Sequence, residues 1–100
     1  MKFILKVHES NDFKVLAICD PNILGKKFED KKIQLDLSSD FYKGKEVDKD
    51  ELLSEVKKRP CHLNIAGKDS INLFLRQNII NKEKIIWVKG VPFAMVIIEY

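Results

Sequence analysis

A small polar turn stands directly before an amphipathic helix, and this junction constrains the fold more than any other feature of the chain. The turn runs from Asn64 to Ser70 and has Gly67 and Lys68 at its centre. The apolar residues that follow at helical spacing are Ile71, Phe74 and Leu75. We therefore predict a helix that is capped by Asp69 or Ser70 and runs to about residue 78.

The start of this helix is a candidate anion site. Unpaired backbone N–H groups and the helix dipole favour negative charge there, and a glycine lets the backbone approach a phosphate closely. The residues that we predict to hold RNA phosphate or another anion are Lys26, Lys27, Asn64, Gly67, Lys68 and Ser70. The alternative is that Gly67 only makes a turn and Ser70 only caps the helix. The turn lacks the residue order of a nucleotide P-loop, which argues against nucleoside triphosphate hydrolysis.

The length and composition favour one ordered domain over residues 1–100. One hundred residues bury a single core, and three prolines and four glycines leave little room for linkers. The formal net charge is +3, from 18 basic and 15 acidic residues, so any basic face must come from local clustering. No apolar run has the length of a signal or membrane segment, and we expect a cytoplasmic protein.

Alternating apolar residues predict strands at both ends of the chain. Residues 2–8 and 13–19 predict a hairpin, and residues 32–37 predict a third strand with one wet face. Residues 85–88 and 93–98 are apolar on both faces, as interior strands covered by helices would be. Pro92 suits the first residue of a strand because it has no N–H to donate.

Helix signals fall in the middle of the chain. Asp48 predicts the cap of a helix over residues 49–59, which Pro60 ends. Asp20 and Pro21 predict an N-cap and first residue of a single helical turn. The order β-β-β-α-α-β-β predicts an α/β domain of α+β type, with a mixed sheet of about five strands and two main helices.

Cysteine and histidine side chains give weak signals for chemistry. Cys19, Cys61, His8 and His62 are enough for a zinc site, but their spacing lacks a close ligand pair. Cys19 precedes a helical turn and is a candidate nucleophile, although its alternation with neighbouring apolar residues favours a buried thiol. No spacing links a histidine to a carboxylate in a catalytic signature, so we nominate no catalytic residue, metal or cofactor.

Several short motifs, taken together in order, make the chain similar to an archaeal family known as domain of unknown function 424. These motifs are Lys6-Val7-His8, Cys19-Asp20, Leu24-Gly25-Lys26, Phe41-Tyr42 with Gly44, Asn64 with Gly67 and Ser70, and Gly90-Val91-Pro92. The resemblance covers nearly the whole chain. It implies an archaeal, cytosolic, single-domain α/β protein with work near RNA or translation, and it brings no established activity.

Three functions follow as expectations. The first is non-enzymatic binding of RNA or a ribonucleoprotein through its phosphate backbone, aided by lysines and by Phe41, Tyr42 or Trp87 if these rings are exposed. The second is a protein-interaction module or homodimer that uses the apolar last strand and Tyr100. The third is a small enzyme that acts on a phosphorylated metabolite at the same turn.

Overall fold

The computed structural model describes residues 1–58 and 60–99 and contains a mixed six-stranded sheet, a two-stranded sheet and two α-helices. The strand order of the large sheet is β5-β1-β2-β6-β8-β7, and β3 and β4 form the small sheet. The strands are β1 Phe3–Glu9, β2 Lys14–Cys19, β3 Lys27–Glu29, β4 Gln34–Asp36, β5 Lys45–Val47, β6 Cys61–Ala66, β7 Ile86–Val88 and β8 Val91–Ile98. The α+β class predicted from the sequence is confirmed.

The two helices begin in different ways. Helix α1, Lys49–Val56, starts at Asp48, whose side chain accepts a hydrogen bond of 2.8 Å from the Glu51 N–H, as the sequence predicts. Helix α2, Lys68–Arg76, has Gly67 at its N-cap, and this residue has no side chain that could accept a hydrogen bond from the helix N–H groups. The described residues also contain three short 3-10 turns, at Pro21–Ile23, Asp40–Tyr42 and Lys82–Lys84.

The central pair of the large sheet is parallel, whereas its other pairs are antiparallel. Strand β2 lies beside β6 with Cys19 opposite Ala66. A parallel pair needs a crossover connection, and here residues 20–60 supply it, including the small sheet and α1. The carboxyl ends of β2 and β6 therefore lie side by side at one end of the strands. The 3-10 turn at residue 21 follows β2 there, and α2 follows β6.

Each face of the large sheet carries its own apolar core. On the helix face, α1 and α2 pack through Leu52, Val56 and Phe74 against the sheet. On the opposite face, the lobe formed by residues 20–44 covers part of the sheet and buries a second core around Cys19 and Leu37. The lobe leaves the rest of this face, which we call the open face, accessible to solvent along β8.

Three features of the predicted architecture differ from the structure. Strand β6 separates the two helices where the sequence predicts only a short extended piece over residues 61–65, so the predicted element order is wrong. The short strands β3 and β5 were missed because each has one apolar residue, with charged residues at the alternate positions around it. Strand β8 starts at Val91, one residue before Pro92. Its predicted burial on both faces is also wrong, since Met95 and Ile97 are 64% and 63% exposed.

Candidate functional site

The carboxylate of Asp20 caps helix α2 from a distant part of the chain. One oxygen, Oδ2, accepts a hydrogen bond of 3.0 Å from the Asp69 N–H. The other, Oδ1, accepts bonds of 2.8 Å from the Ser70 N–H and 2.6 Å from the Ser70 hydroxyl. Asp20 and Ser70 are both buried. A charged acceptor at the positive end of the helix dipole satisfies N–H groups that the helix itself leaves unpaired.

The parallel pairing of β2 with β6 puts Asp20 in this place. Because Cys19 lies opposite Ala66, the next residues along the two strands, Asp20 and Gly67, are neighbours. The Asp20 N–H also donates to the Ala66 carbonyl at 3.2 Å. Gly67 has φ of 109°, and a Cβ at this position would collide with the Asp20 carboxyl group. The glycine is required both by its backbone conformation and by the approach of the carboxylate.

This contact corrects two predictions from the sequence. Neither Asp69 nor Ser70 caps α2 with its side chain, because both donate their N–H groups to Asp20. The same amides are therefore occupied by a carboxylate of the protein, so the prediction of a vacant helix start that receives a phosphate is wrong. Asp20 does precede a 3-10 turn, but its side chain makes no capping bond there.

Three lysines converge beside the capped helix start. Lys26, Lys68 and Lys89 all line one cavity of about 440 Å³, together with Gly67 and Asp20. Within residues 1–58 and 60–99, none of these lysines forms an ion pair. The sequence analysis named Lys26 and Lys68 but not Lys89. Lys89 reaches the cavity because the tight turn between β7 and β8 lies at the same end of the strands as Gly67.

The remaining predicted site residues lie elsewhere. Lys27 is on β3, opposite Asp36. Asn64 is in the middle of β6, between Ala17 and Met95 of the neighbouring strands. Ser70 is beneath the cavity, bonded to Asp20, and it has no exposed surface. The six predicted residues therefore do not form one surface. The helix predicted over residues 49–59 ends earlier, at Val56, and Arg59 at the end of that prediction lies outside the described residues.

The candidate nucleophile and the candidate stacking rings are mostly used inside the protein. Burial, with a smaller contribution from the neighbouring Asp20 charge, raises the pKa of Cys19 to about 12. The thiol therefore stays protonated at neutral pH. Burial also raises the pKa of Tyr42, and Phe41 stacks on His8 with ring centroids 4.5 Å apart. Of the three candidate rings, Trp87 has the exposed surface, at 57%.

Part of strand β8 has a free backbone edge. The Gly67 N–H donates to the Pro92 carbonyl at 2.9 Å, so Pro92 and every second residue after it direct their backbone groups towards β6. Phe93, Met95 and Ile97 then direct theirs to the other side. Strand β7 begins at Ile86, which pairs with Phe93, so β7 does not extend along β8 beyond Phe93. In the described part of the chain, the N–H and C=O groups of Met95 and Ile97 have no strand beside them.

The side chains and loops around this edge leave space for another chain. Met95 and Ile97 place large apolar side chains on the open face, next to the strand that carries His62. Beside the edge lies a groove of about 500 Å³, lined by Ile79, Lys84 and β8 residues. A second groove, of about 590 Å³, continues it along β8 to Glu99. We call the backbone and side chains of Met95–Ile97 with these grooves the β8 edge.

Two classes of site find no support in the described residues. Outside Arg59 and Tyr100, no three His, Cys, Asp or Glu side chains come together as metal ligands. No helix in the described part of the chain combines the length and apolar character needed to cross a bilayer.

A single-domain α+β protein with this sheet is matched by a family model and by a solved structure. The chain belongs to the family of proteins of unknown function DUF424, whose model matches residues 8–98. Its fold is similar to that of an uncharacterized conserved protein from Methanopyrus kandleri, with a TM-score of 0.82 and 23% sequence identity. That similarity covers 99% of this chain and 93% of the other. No curated protein matches the chain.

Replacement of Asp20 by Ala should lower the free energy of unfolding by about 2–3 kcal/mol, because the cap is lost and buried donors of Ser70 are left unpaired. Urea unfolding followed by circular dichroism measures this change. Asp12→Ala, in an exposed turn, is the matched control and should change stability by less than about 0.5 kcal/mol. Equal effects of the two substitutions would show that Asp20 is not the cap that holds α2.

Proposed function

We propose that the protein is an interaction module that binds an extended segment of a protein partner at the β8 edge. The observation that carries this proposal is the combination of free backbone groups and exposed apolar side chains at Met95 and Ile97. An exposed strand edge is a template for another strand, with backbone hydrogen bonds for affinity and side-chain pockets for specificity.

The edge and its surroundings match both requirements of strand addition. An incoming strand pairs its backbone with Met95 and Ile97. Its alternate side chains then point either to the open face beside those two residues or to the grooves that contain Ile79 and Val96. Burial of apolar surface on both sides adds to the hydrogen bonds, at about 25 cal/mol per Å² of apolar area.

The other end of the sheet lacks these features. Strand β5, at the opposite edge, has three residues, and two of them are the charged Lys45 and Glu46. Short, charged edge strands are a common protection against pairing with other chains. Strand β8 has eight residues and carries no charge between Val91 and Ile98. Among the described residues, the part of β8 that extends past its pairing with β7 therefore offers a better template than β5.

An enzymatic role gains no support from the groups that chemistry would need. The Cys19 thiol is buried with a raised pKa. His8 bonds the Phe41 carbonyl at 2.9 Å and stacks on its ring, and His62 stacks on Phe13. These side chains hold the sheet and its loops together. We therefore prefer the interaction module to a small enzyme that acts on a phosphorylated metabolite.

Peptide selection tests strand addition at the β8 edge. A random peptide library is selected for binding to the immobilised wild-type chain at nanomolar concentration. We expect the selected peptides to have apolar residues at alternate positions. Substitution of both Met95 and Ile97 by Lys should weaken the selected peptides at least tenfold, because charges on the open face oppose their apolar side chains.

Ile33→Lys is the matched control, since Ile33 is 40% exposed but lies in the lobe. It should leave peptide binding unchanged. Selected peptides that bind the edge variant and the wild type equally well, or a selection that yields no binders, would contradict the proposal.

Binding of RNA or a ribonucleoprotein is the second candidate, and the convergence of Lys26, Lys68 and Lys89 on one cavity favours it. The support comes from the three ammonium groups alone, because Asp20 occupies the helix amides. Lysines on a concave surface contact phosphates without reading sequence. A cytoplasmic protein that works near translation is the setting that this candidate implies.

Replacement of both Lys26 and Lys68 by Glu tests this candidate. We expect RNA affinity to fall at least tenfold and its dependence on salt to become shallower, because fewer counterions are released on binding. Fluorescence anisotropy of a labelled single-stranded RNA at several salt concentrations measures both effects. The control is Lys31→Glu with Lys32→Glu, which makes the same charge change in the turn between β3 and β4. Equal losses in the two variants would exclude a site at the cavity.

A further inference from the structure

We infer that the partner at the β8 edge is a second copy of this chain, so that two six-stranded sheets join into one through their β8 strands. This inference rests on the interaction module proposed above and names its partner. It follows from the symmetry of the edge, from the residues that meet across it and from the charges at its two ends.

The edge is complementary to itself. A two-fold axis perpendicular to the sheet, passing beside Ile97, places the two β8 strands antiparallel. The Ile97 N–H of each copy then donates to the Ile97 carbonyl of the other, and Met95 faces Glu99 of the second copy. Met95 and Ile97 are alternate residues of β8, so their backbone groups point to the same side of the strand. An isologous contact of this kind closes as a dimer.

The same rotation brings apolar side chains together on the open face. It keeps the faces of the two sheets aligned, so Ile97 meets Ile97 of the second copy and lies diagonal to its Met95. Cross-strand apolar pairs at these positions stabilise antiparallel sheets. Both side chains are more than half exposed in the single chain, at 64% for Met95 and 63% for Ile97. The dimer therefore covers the apolar surface that one chain leaves in water.

The charges at the ends of the edge are also complementary. Lys84 lines the groove beside Met95, and Glu99 lines the groove at the other end of β8. Since Met95 faces Glu99 of the second copy, the axis brings Lys84 of each chain towards Glu99 of the other. The contact is repeated by symmetry. An unrelated peptide has no reason to carry an acidic group at this position, whereas a second copy supplies it.

The first test is the mass of the protein in solution. Light scattering coupled to size-exclusion chromatography should give about twice the 11.6 kDa chain mass for the wild type at micromolar concentration. Met95→Lys combined with Ile97→Lys should give the mass of a monomer, and Ile33→Lys should remain dimeric. A monomeric wild type at all concentrations, or a dimer that survives the edge substitutions, overturns the inference.

The second test exchanges the charges between copies. Lys84→Glu alone and Glu99→Lys alone each place like charges at both ends of the dimer and should weaken it roughly tenfold. A mixture of the two variants should form a heterodimer of wild-type affinity, because opposite charges then meet at both ends. A contact within one chain cannot produce this recovery. Failure of the mixture to associate more tightly than either variant overturns the inferred pairing.

The two proposals can fail separately. If library peptides require Met95 and Ile97 while the wild type is monomeric, the β8 edge is an interaction site and its partner is a different protein. If the wild type dimerises and the edge variants remain dimers, the second copy binds at another surface and the inference is wrong. Recovery in the charge-exchange mixture supports the second copy at this edge.

Discussion

The structure depends on one contact, the carboxylate of Asp20 against the first turn of α2. It joins the end of β2 to the start of the helix that follows β6, across 49 positions in the chain. The contact needs the parallel register of the two strands, a glycine at residue 67 and a serine that is buried with its hydroxyl bonded to Asp20. Each of these features would be costly without the others, because a buried carboxylate or hydroxyl must be paired.

This contact also occupies the end of the sheet where the carboxyl ends of β2 and β6 meet. A helix start is a natural anion site, and here the protein supplies its own anion. The lysines around the cavity then lie above a helix whose positive end is already satisfied. The β8 edge, in contrast, has no internal partner among the described residues for the backbone of Met95 and Ile97. The interaction that the fold leaves incomplete is therefore at the side of the sheet rather than at the helix start.

Local features were predictable from the sequence. The Asp48 cap of α1 depends on residues three positions apart, and the alternation in β1 and β2 depends on neighbours within each strand. The Asp20 cap was not predictable, because it depends on which strands are neighbours and in which register. Nothing near Asp20 in the chain indicates the later pairing of Cys19 with Ala66.

The last strand shows the same limit. Its apolar residues correctly indicated a strand, but burial depends on what lies on each face and beside each edge. The lobe covers only part of the sheet face opposite the helices, and β7 is too short to pair with the rest of β8. Met95 and Ile97 are exposed for that reason. The proposed partner strand would cover both of these apolar side chains. The sequence also led us to expect Tyr100 in an interaction surface with this strand, but Tyr100 lies outside the described residues.

Amide hydrogen exchange, followed by NMR at several protein concentrations, tests the central claim most directly. The account predicts that the amides of Met95 and Ile97 exchange rapidly in dilute solution and become protected as concentration rises. The Val96 amide, which points towards β6, should be protected throughout. Equal protection of Met95, Val96 and Ile97 at every dilution would show that the chain covers this edge by itself, and would contradict the account.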